Sequence, residues 1–177
     1  MGAQRLIPLA LVAVLAAALT GCRDDGPPAV LTASDRGVVA RVNDGDTITL
    51  RGGEKVRLLQ IDAPELTSDC YGGAAKRALE RHVHSGAQAQ LVRDPGLDET
   101  DRYGRLLRYV VVGGENVNVA LVREGAASPY FFRGDRGIHA RELLDAVDEA
   151  RQARRGYWGS CPGAELNTGL GSVTGRR

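Results

Sequence analysis

Between Val38 and Ile61 the chain is punctuated so closely that it has to turn back on itself twice. Val38-Val39-Ala40-Arg41-Val42 and Thr47-Ile48-Thr49-Leu50 are runs rich in β-branched residues on either side of Asn43-Asp44-Gly45. That tripeptide is hairpin chemistry, because Asn, Asp and Gly tolerate the backbone angles of a tight turn. Gly52-Gly53 turns the chain again into Glu54–Ile61. The pattern predicts a three-stranded antiparallel meander with acidic residues at its bends.

The rest of the chain adds strands and helices around that meander. Residues 73–84 suit a helix with Ala74, Ala75, Ala78 and Leu79 on one side. Ala89–Arg93 and Leu106–Val112 read as further strands. Val117–Arg123 is a short helix closed by Gly125. Asp135–Arg155 is a longer one, with a stripe of Ile138, Leu143, Leu144, Val147 and Ala150, stopped at Gly156. Five strands with helices between and after them predict an α+β domain, a five-stranded OB-type β-barrel with about three helices.

The expected folded domain is residues 35–162. Residues 1–21 read as an export signal: Arg5 precedes an apolar run, Leu6–Leu19, that is short for a membrane span. The signal ends Leu19-Thr20-Gly21-Cys22, which resembles the lipobox of bacterial lipoproteins. That resemblance implies an acylated Cys22 as the mature N-terminus and attachment to the membrane through its lipid. The plainer alternative is an ordinary signal peptide with an incidental cysteine. Either way the expected location is outside the cytoplasm, lipid-anchored on the extracellular face of the cell membrane or secreted. Residues 22–34, polar and broken by Pro27-Pro28, are expected to be a tether, and the glycine-rich residues 163–177 a disordered tail. With Cys22 assigned to lipid, Cys70 and Cys161 remain as an even pair in an oxidising compartment, and a disulfide is expected. Such a long loop gains about 4 kcal/mol from closure in the chain-entropy model.

Charge excludes one mode of binding. The whole chain carries a formal net charge of +1, and removing Arg5 with the signal brings it to zero. Nucleic acid cannot then be held by bulk charge, so any contact must be local. Two stretches offer such a locality: Asp44-Gly45-Asp46-Thr47 followed by Arg57-Leu58-Leu59-Gln60-Ile61-Asp62-Ala63-Pro64-Glu65, and Asp101-Arg102-Tyr103-Gly104-Arg105. Carboxylate oxygens suit Ca²⁺ or Mg²⁺, and guanidinium forks match phosphate oxygens in pairs. Pro64 biases Ala63 away from the helical region and so restricts where the Ala63 carbonyl points. A cation, a carboxylate available as a base and two phosphate clamps are an inventory for phosphodiester hydrolysis. Taken singly, each residue has a blander reading: turn aspartates bond to nearby amides, and lone arginines are usually solvated. His82, His84 and His139 do not present metal-ligand geometry and read as structural or solvated.

In this order and on strands, Asp-Gly-Asp-Thr, Arg-Leu-Leu-x-x-Asp-x-Pro-Glu and Asp-x-Tyr-Gly-Arg resemble the staphylococcal nuclease (thermonuclease) family. Val117-Asn118, Ala120–Gly125 and Gly156-Tyr157-Trp158 extend the resemblance over roughly residues 36–160. It implies that Asp46, Asp62 and the Ala63 carbonyl are Ca²⁺ ligands, with alanine where the family usually has threonine. It implies that Glu65 positions or deprotonates the attacking water, and that Arg57 and Arg105 clamp the phosphate. Arg102 and Tyr103 match residues that contact a neighbouring phosphate. For base stacking, Tyr130-Phe131-Phe132 supplies aromatics, with Phe131 opposite the family's first tyrosine in an ungapped register. The activity so implied is Ca²⁺-dependent hydrolysis of DNA and RNA with low sequence specificity, leaving 3′-phosphate and 5′-hydroxyl ends, by a monomer. The alternative is a non-catalytic nucleic-acid-binding or protein-binding surface lipoprotein on the same fold.

Overall fold

Residues 34–161 and 171–173 are described by the structure, a computed structural model. The segments expected to be an export signal and a tether, with Cys22, lie outside the described residues up to residue 33, as do residues 162–170 and 174–177. Among the described residues no helix is long and apolar enough to cross a membrane.

Five strands close into a barrel. They are β1 (Ser34–Val42), β2 (Thr47–Leu50), β3 (Lys55–Leu58), β5 (Gln88–Val92) and β6 (Leu106–Val112), with the two-residue β4 (Ile61–Asp62) standing apart after β3. β1 is long enough to serve two neighbours. Its first half pairs with β5 from Ser34↔Val92 to Val38↔Gln88, and its second half pairs with β2. A register shift between Val39 and Arg41 marks the corner where it changes partner. Parallel pairing of β3 with β6, Val56↔Leu106 to Leu58↔Arg108, closes the ring. The fold is therefore the α+β OB-type barrel expected from the strand pattern.

Helix α1 (Gly72–His82) precedes β5, and a short β7 (Glu115–Asn116) leads into α2 (Val117–Arg123). Asn116 caps α2, its side chain accepting the amides of Asn118 and Val119. After β8 (Ser128–Pro129) come α3 (Ala140–Gln152) and the single turn α4 (Tyr157–Ser160). Ile48, Val56, Leu79, Leu121, Leu143 and Val147 meet in one core, each fully buried. Cys70 and Cys161 are joined as a disulfide, which ties the loop before α1 to the end of α4.

Three boundaries differ from expectation for identifiable reasons. The third strand, expected to run from Glu54 to Ile61, breaks after Leu58 because Gln60 adopts φ +59°. The Leu59 amide turns to the Arg108 carbonyl and the Gln60 carbonyl accepts from Tyr130, so Ile61 and Asp62 pair with β8 instead. The last long helix begins at Ala140, not Asp135. The backbone of 135–138 is captured by buried polar groups: Gln60 Nε2 donates to the Asp135 carbonyl, Gln60 Oε1 accepts from Gly137, and Asp94 Oδ2 accepts from Ile138. Ile138, expected on the buried stripe, is 58% exposed as a result. The tail expected to be disordered returns to the fold at Gly171–Val173, where the Phe131 amide donates to the Gly171 carbonyl and the Val173 amide to the Pro129 carbonyl.

Asn118 is the polar pin of the barrel end. Fully buried, it accepts the Val110 amide at 3.0 Å and donates to the Leu59 carbonyl at 2.8 Å. Asn118→Leu would leave both backbone groups unpaired, at about 1–3 kcal/mol each. Urea unfolding of this variant is expected to show a loss of about 2–4 kcal/mol, and a loss below 0.5 kcal/mol would contradict the assigned role.

Candidate active site

The Asp44–Asp46 turn is held by its own side chains. The Asp46 amide donates to Asp44 Oδ1 at 3.1 Å, and the Thr47 hydroxyl donates to Asp46 Oδ1 at 2.8 Å. Between the two acids there is no room for a side chain. A Cβ on Gly45 would lie 2.6 Å from the Ala63 Cβ and 2.9 Å from that of Ala75. The Asp-Gly-Asp order thus lets the turn press against both the Asp62–Ala63 segment and α1, and Ala63 directs its amide at Asp46 Oδ2.

Strand register then delivers Arg57. β2 opposes Thr47 to Arg57, so the guanidinium lies beside Asp46. Its Nη2 is 3.3 Å from Asp46 Oδ2 and 3.0 Å from Asp62 Oδ1, while Nη1 donates to the Ile61 carbonyl at 3.0 Å. The Tyr130 ring lies 5.4 Å away. Only 14% of the Arg57 side chain is exposed. Burial alone would lower its pKa, but the charges of Asp46 and Asp62 outweigh burial and hold it above its ordinary value. Asp62 is displaced upward in turn: burial and the charge of Asp46 together outweigh the help of Arg57.

Glu65 leaves this cluster on the far side of Pro64 and is exposed. Its amide donates to Asp69 Oδ2 at 2.9 Å, which closes the loop on itself, and its charge reaches Asp62. The second arginine group is built on Asp101. Arg105 Nε meets Asp101 Oδ2 at 2.6 Å, and Asp101 Oδ1 accepts the amides of Tyr103 and Arg105. Burial would raise the Asp101 pKa, but these bonds outweigh it and hold the carboxyl below its ordinary value. The Tyr103 ring is 68% exposed, with the Arg102 guanidinium 4.8 Å and that of Arg105 5.5 Å from its centre. Since β6 runs parallel to β3, this turn sits at the strand start next to Arg57, close enough for Asp101 to act on the Arg57 charge.

The structure therefore brings Asp46, Arg57, Asp62, Ala63 and Tyr130 into contact and sets Glu65 beside them. Arg102, Tyr103 and Arg105 form a neighbouring group around Asp101. Phe131 is corrected: it is 3% exposed and belongs to the core, with Arg136 over its ring. Phe131 turns inward while Tyr130 faces Arg57, and Phe132 is the outward residue at 51% exposure. Sequence reasoning missed Asp101 as the organiser of Arg105, although its place four residues ahead was visible. It also missed Ser128, whose hydroxyl reaches the Asp62 carbonyl, and Ser172, whose hydroxyl donates to Asp62 Oδ2.

Known proteins resemble this chain over most of its folded part. The family model for staphylococcal nuclease homologues matches residues 55–160. Thermonuclease of Staphylococcus intermedius is 34% identical over 139 residues, which cover 72% of this chain and 79% of that protein. The chain belongs to the staphylococcal nuclease family. Protein ParB of Escherichia coli is 39% identical over 140 residues, covering 70% of this chain and 72% of that one. Endonuclease YhcR of Bacillus subtilis is 33% identical over 136 residues, 69% of this chain but 11% of that much longer protein.

Among the described residues of this family member, no group of three or more His, Cys, Asp and Glu side chains is arranged to hold a metal ion. The oxygen donors at hand are the carboxylates of Asp46 and Asp62, which converge on one nitrogen of Arg57. Such a donor set fits a hard cation that keeps several of its waters, and not one caged wholly by protein.

Proposed function

We propose that this protein is a Ca²⁺-dependent nuclease that hydrolyses phosphodiesters of DNA and RNA with little sequence preference, leaving 3′-phosphate and 5′-hydroxyl ends. The observation that carries the reading is Arg57 held between Asp46 and Asp62 with Glu65 exposed alongside. Asp46, Asp62 and the Ala63 carbonyl would hold the cation, which when bound would neutralise charge on the phosphoryl oxygens. Arg57, oriented by the Ile61 carbonyl, presents a guanidinium that stays charged at any working pH to the equatorial oxygens as charge builds there. Arg105, fixed by Asp101, supplies a second such donor. Glu65 accepts the proton of the attacking water or orients it. Exposed Tyr103 and Phe132 offer faces for bases, and Arg102 a contact for a flanking phosphate.

Three variants separate these roles. Arg57→Lys keeps charge but loses paired donation, and its turnover is expected to fall by about 10²–10³. Glu65→Ala, an exposed position, should cut turnover steeply with the melting temperature unchanged. Asp46→Asn should weaken calcium binding, so that added calcium partly restores the rate. DNA hydrolysis is followed at saturating and limiting calcium. Near wild-type rates for both Arg57→Lys and Glu65→Ala at saturation would falsify the assignment.

The same proposal places the enzyme, as a monomer, outside the cytoplasm, joined to the membrane through a lipid on Cys22. What supports this is the segment Leu19-Thr20-Gly21-Cys22 behind an apolar run. Two acyl chains hold a protein to a bilayer where one does not. Wild-type protein is expected in the detergent phase on phase partitioning and Cys22→Ser in the aqueous phase or as unprocessed precursor. A wild-type protein wholly in the aqueous phase contradicts the anchor.

A further inference from the structure

The short return of the chain at Gly171–Val173 lies against the part of the fold that carries Asp62. Ser172 pairs antiparallel with Tyr130, and the Phe131 and Val173 amides complete the ladder at 2.8 Å each. β8 already pairs with β4 through Asp62↔Ser128, and residues 171–173 bridge onto the chain just after β8 through Ser172↔Tyr130. Gly171 has φ +123°, and a Cβ there would lie 2.5 Å from the Phe131 carbonyl oxygen, so the approach requires glycine. Val173 packs against the core. Ser172 is 4% exposed, and its hydroxyl donates to Asp62 Oδ2 at 3.3 Å.

Asp62 Oδ1 is taken by Arg57, so Ser172 gives the carboxylate a second donor on its other oxygen. Two donors on two oxygens leave the carboxyl plane little freedom to rotate. Hydrogen-bonded partners behind a ligating carboxylate set its orientation and its affinity for metal. The same segment bonds to the backbone on both sides of Tyr130, at Pro129 and Phe131, and the Tyr130 ring lies against Arg57.

We propose that Gly171-Ser172-Val173 is a built-in strap of the site and that Ser172 is a positioning residue, orienting Asp62 for a divalent cation. This rests on the calcium reading above.

The test uses the purified full chain and three variants: Ser172→Ala, Ser172→Thr and a chain ending at residue 170. Amide hydrogen exchange of the metal-free wild type is expected to show Phe131 and Val173 protected, and free exchange at both would overturn the docking. Calcium affinity by isothermal titration is expected to fall about tenfold in Ser172→Ala and in the truncated chain, within the range found for such partners, and to stay near wild type in Ser172→Thr. Should the truncated chain not fold, Ser172→Ala carries the comparison. Unchanged affinity in Ser172→Ala, or tighter binding once the strap is gone, overturns the positioning role and leaves the calcium reading standing. A wild type that binds no calcium overturns both.

Discussion

Arg57 is the hinge on which the site depends. Asp46 comes from a turn and Asp62 from β4, the first is buried and the second half-buried, and their charges oppose one another. Without a cation between them the two carboxylates would repel each other across the packed Gly45–Ala63 contact. Arg57 supplies that charge and spends its other nitrogen on the Ile61 carbonyl, so the guanidinium plane is set by backbone as well as by acid. Removing one partner of a buried pair typically costs about 3–5 kcal/mol, because the charge left behind is uncompensated. Thus the residue proposed to grip phosphate is also the one that assembles the acids. This explains why a mild-looking change there is expected to be felt in both structure and rate.

The barrel exists, for this purpose, to deliver three turns to one place. The β2–β3 register sets Arg57 beside Asp46, and the break at Gln60 swings Asp62 out of the barrel wall to pair with β8. Closure through β3 and β6 brings the Asp101–Arg105 turn alongside. Tyr109, fully buried, links Gln60 and Asp94 through its hydroxyl, and burial pushes its pKa well up. These same two side chains hold the 135–138 loop, so the break at Gln60 and the late start of α3 share one cause.

Where local chemistry decided structure, the sequence was readable. Leu106–Val112 and Val117–Arg123 begin and end where their apolar pattern does, and the turn residues at 43–46 mark the acids. Reading failed where distant side chains overrode local preference. Ile138 fits a helical stripe, yet Gln60 and Asp94 claim the backbone around it. Gln60 itself carries no sequence sign of positive φ, since glycine is the residue that announces it. Phe131 and Tyr130 are neighbours of like kind, and only pairing with β4 and the strap decides which faces the core. Ser172 stands 110 positions from Asp62 in a glycine-rich segment, where nothing short of the folded chain could connect them.

Hydrolysis of DNA by the purified protein, followed as release of acid-soluble nucleotide with calcium and again with a chelator in excess, tests the central claim most directly. Cleavage that requires calcium, stops with the chelator and resumes when calcium is restored is the predicted result. Absence of cleavage with calcium, or cleavage indifferent to the chelator, would contradict a site in which Asp46 and Asp62 hold the cation that Arg57 and Glu65 work beside.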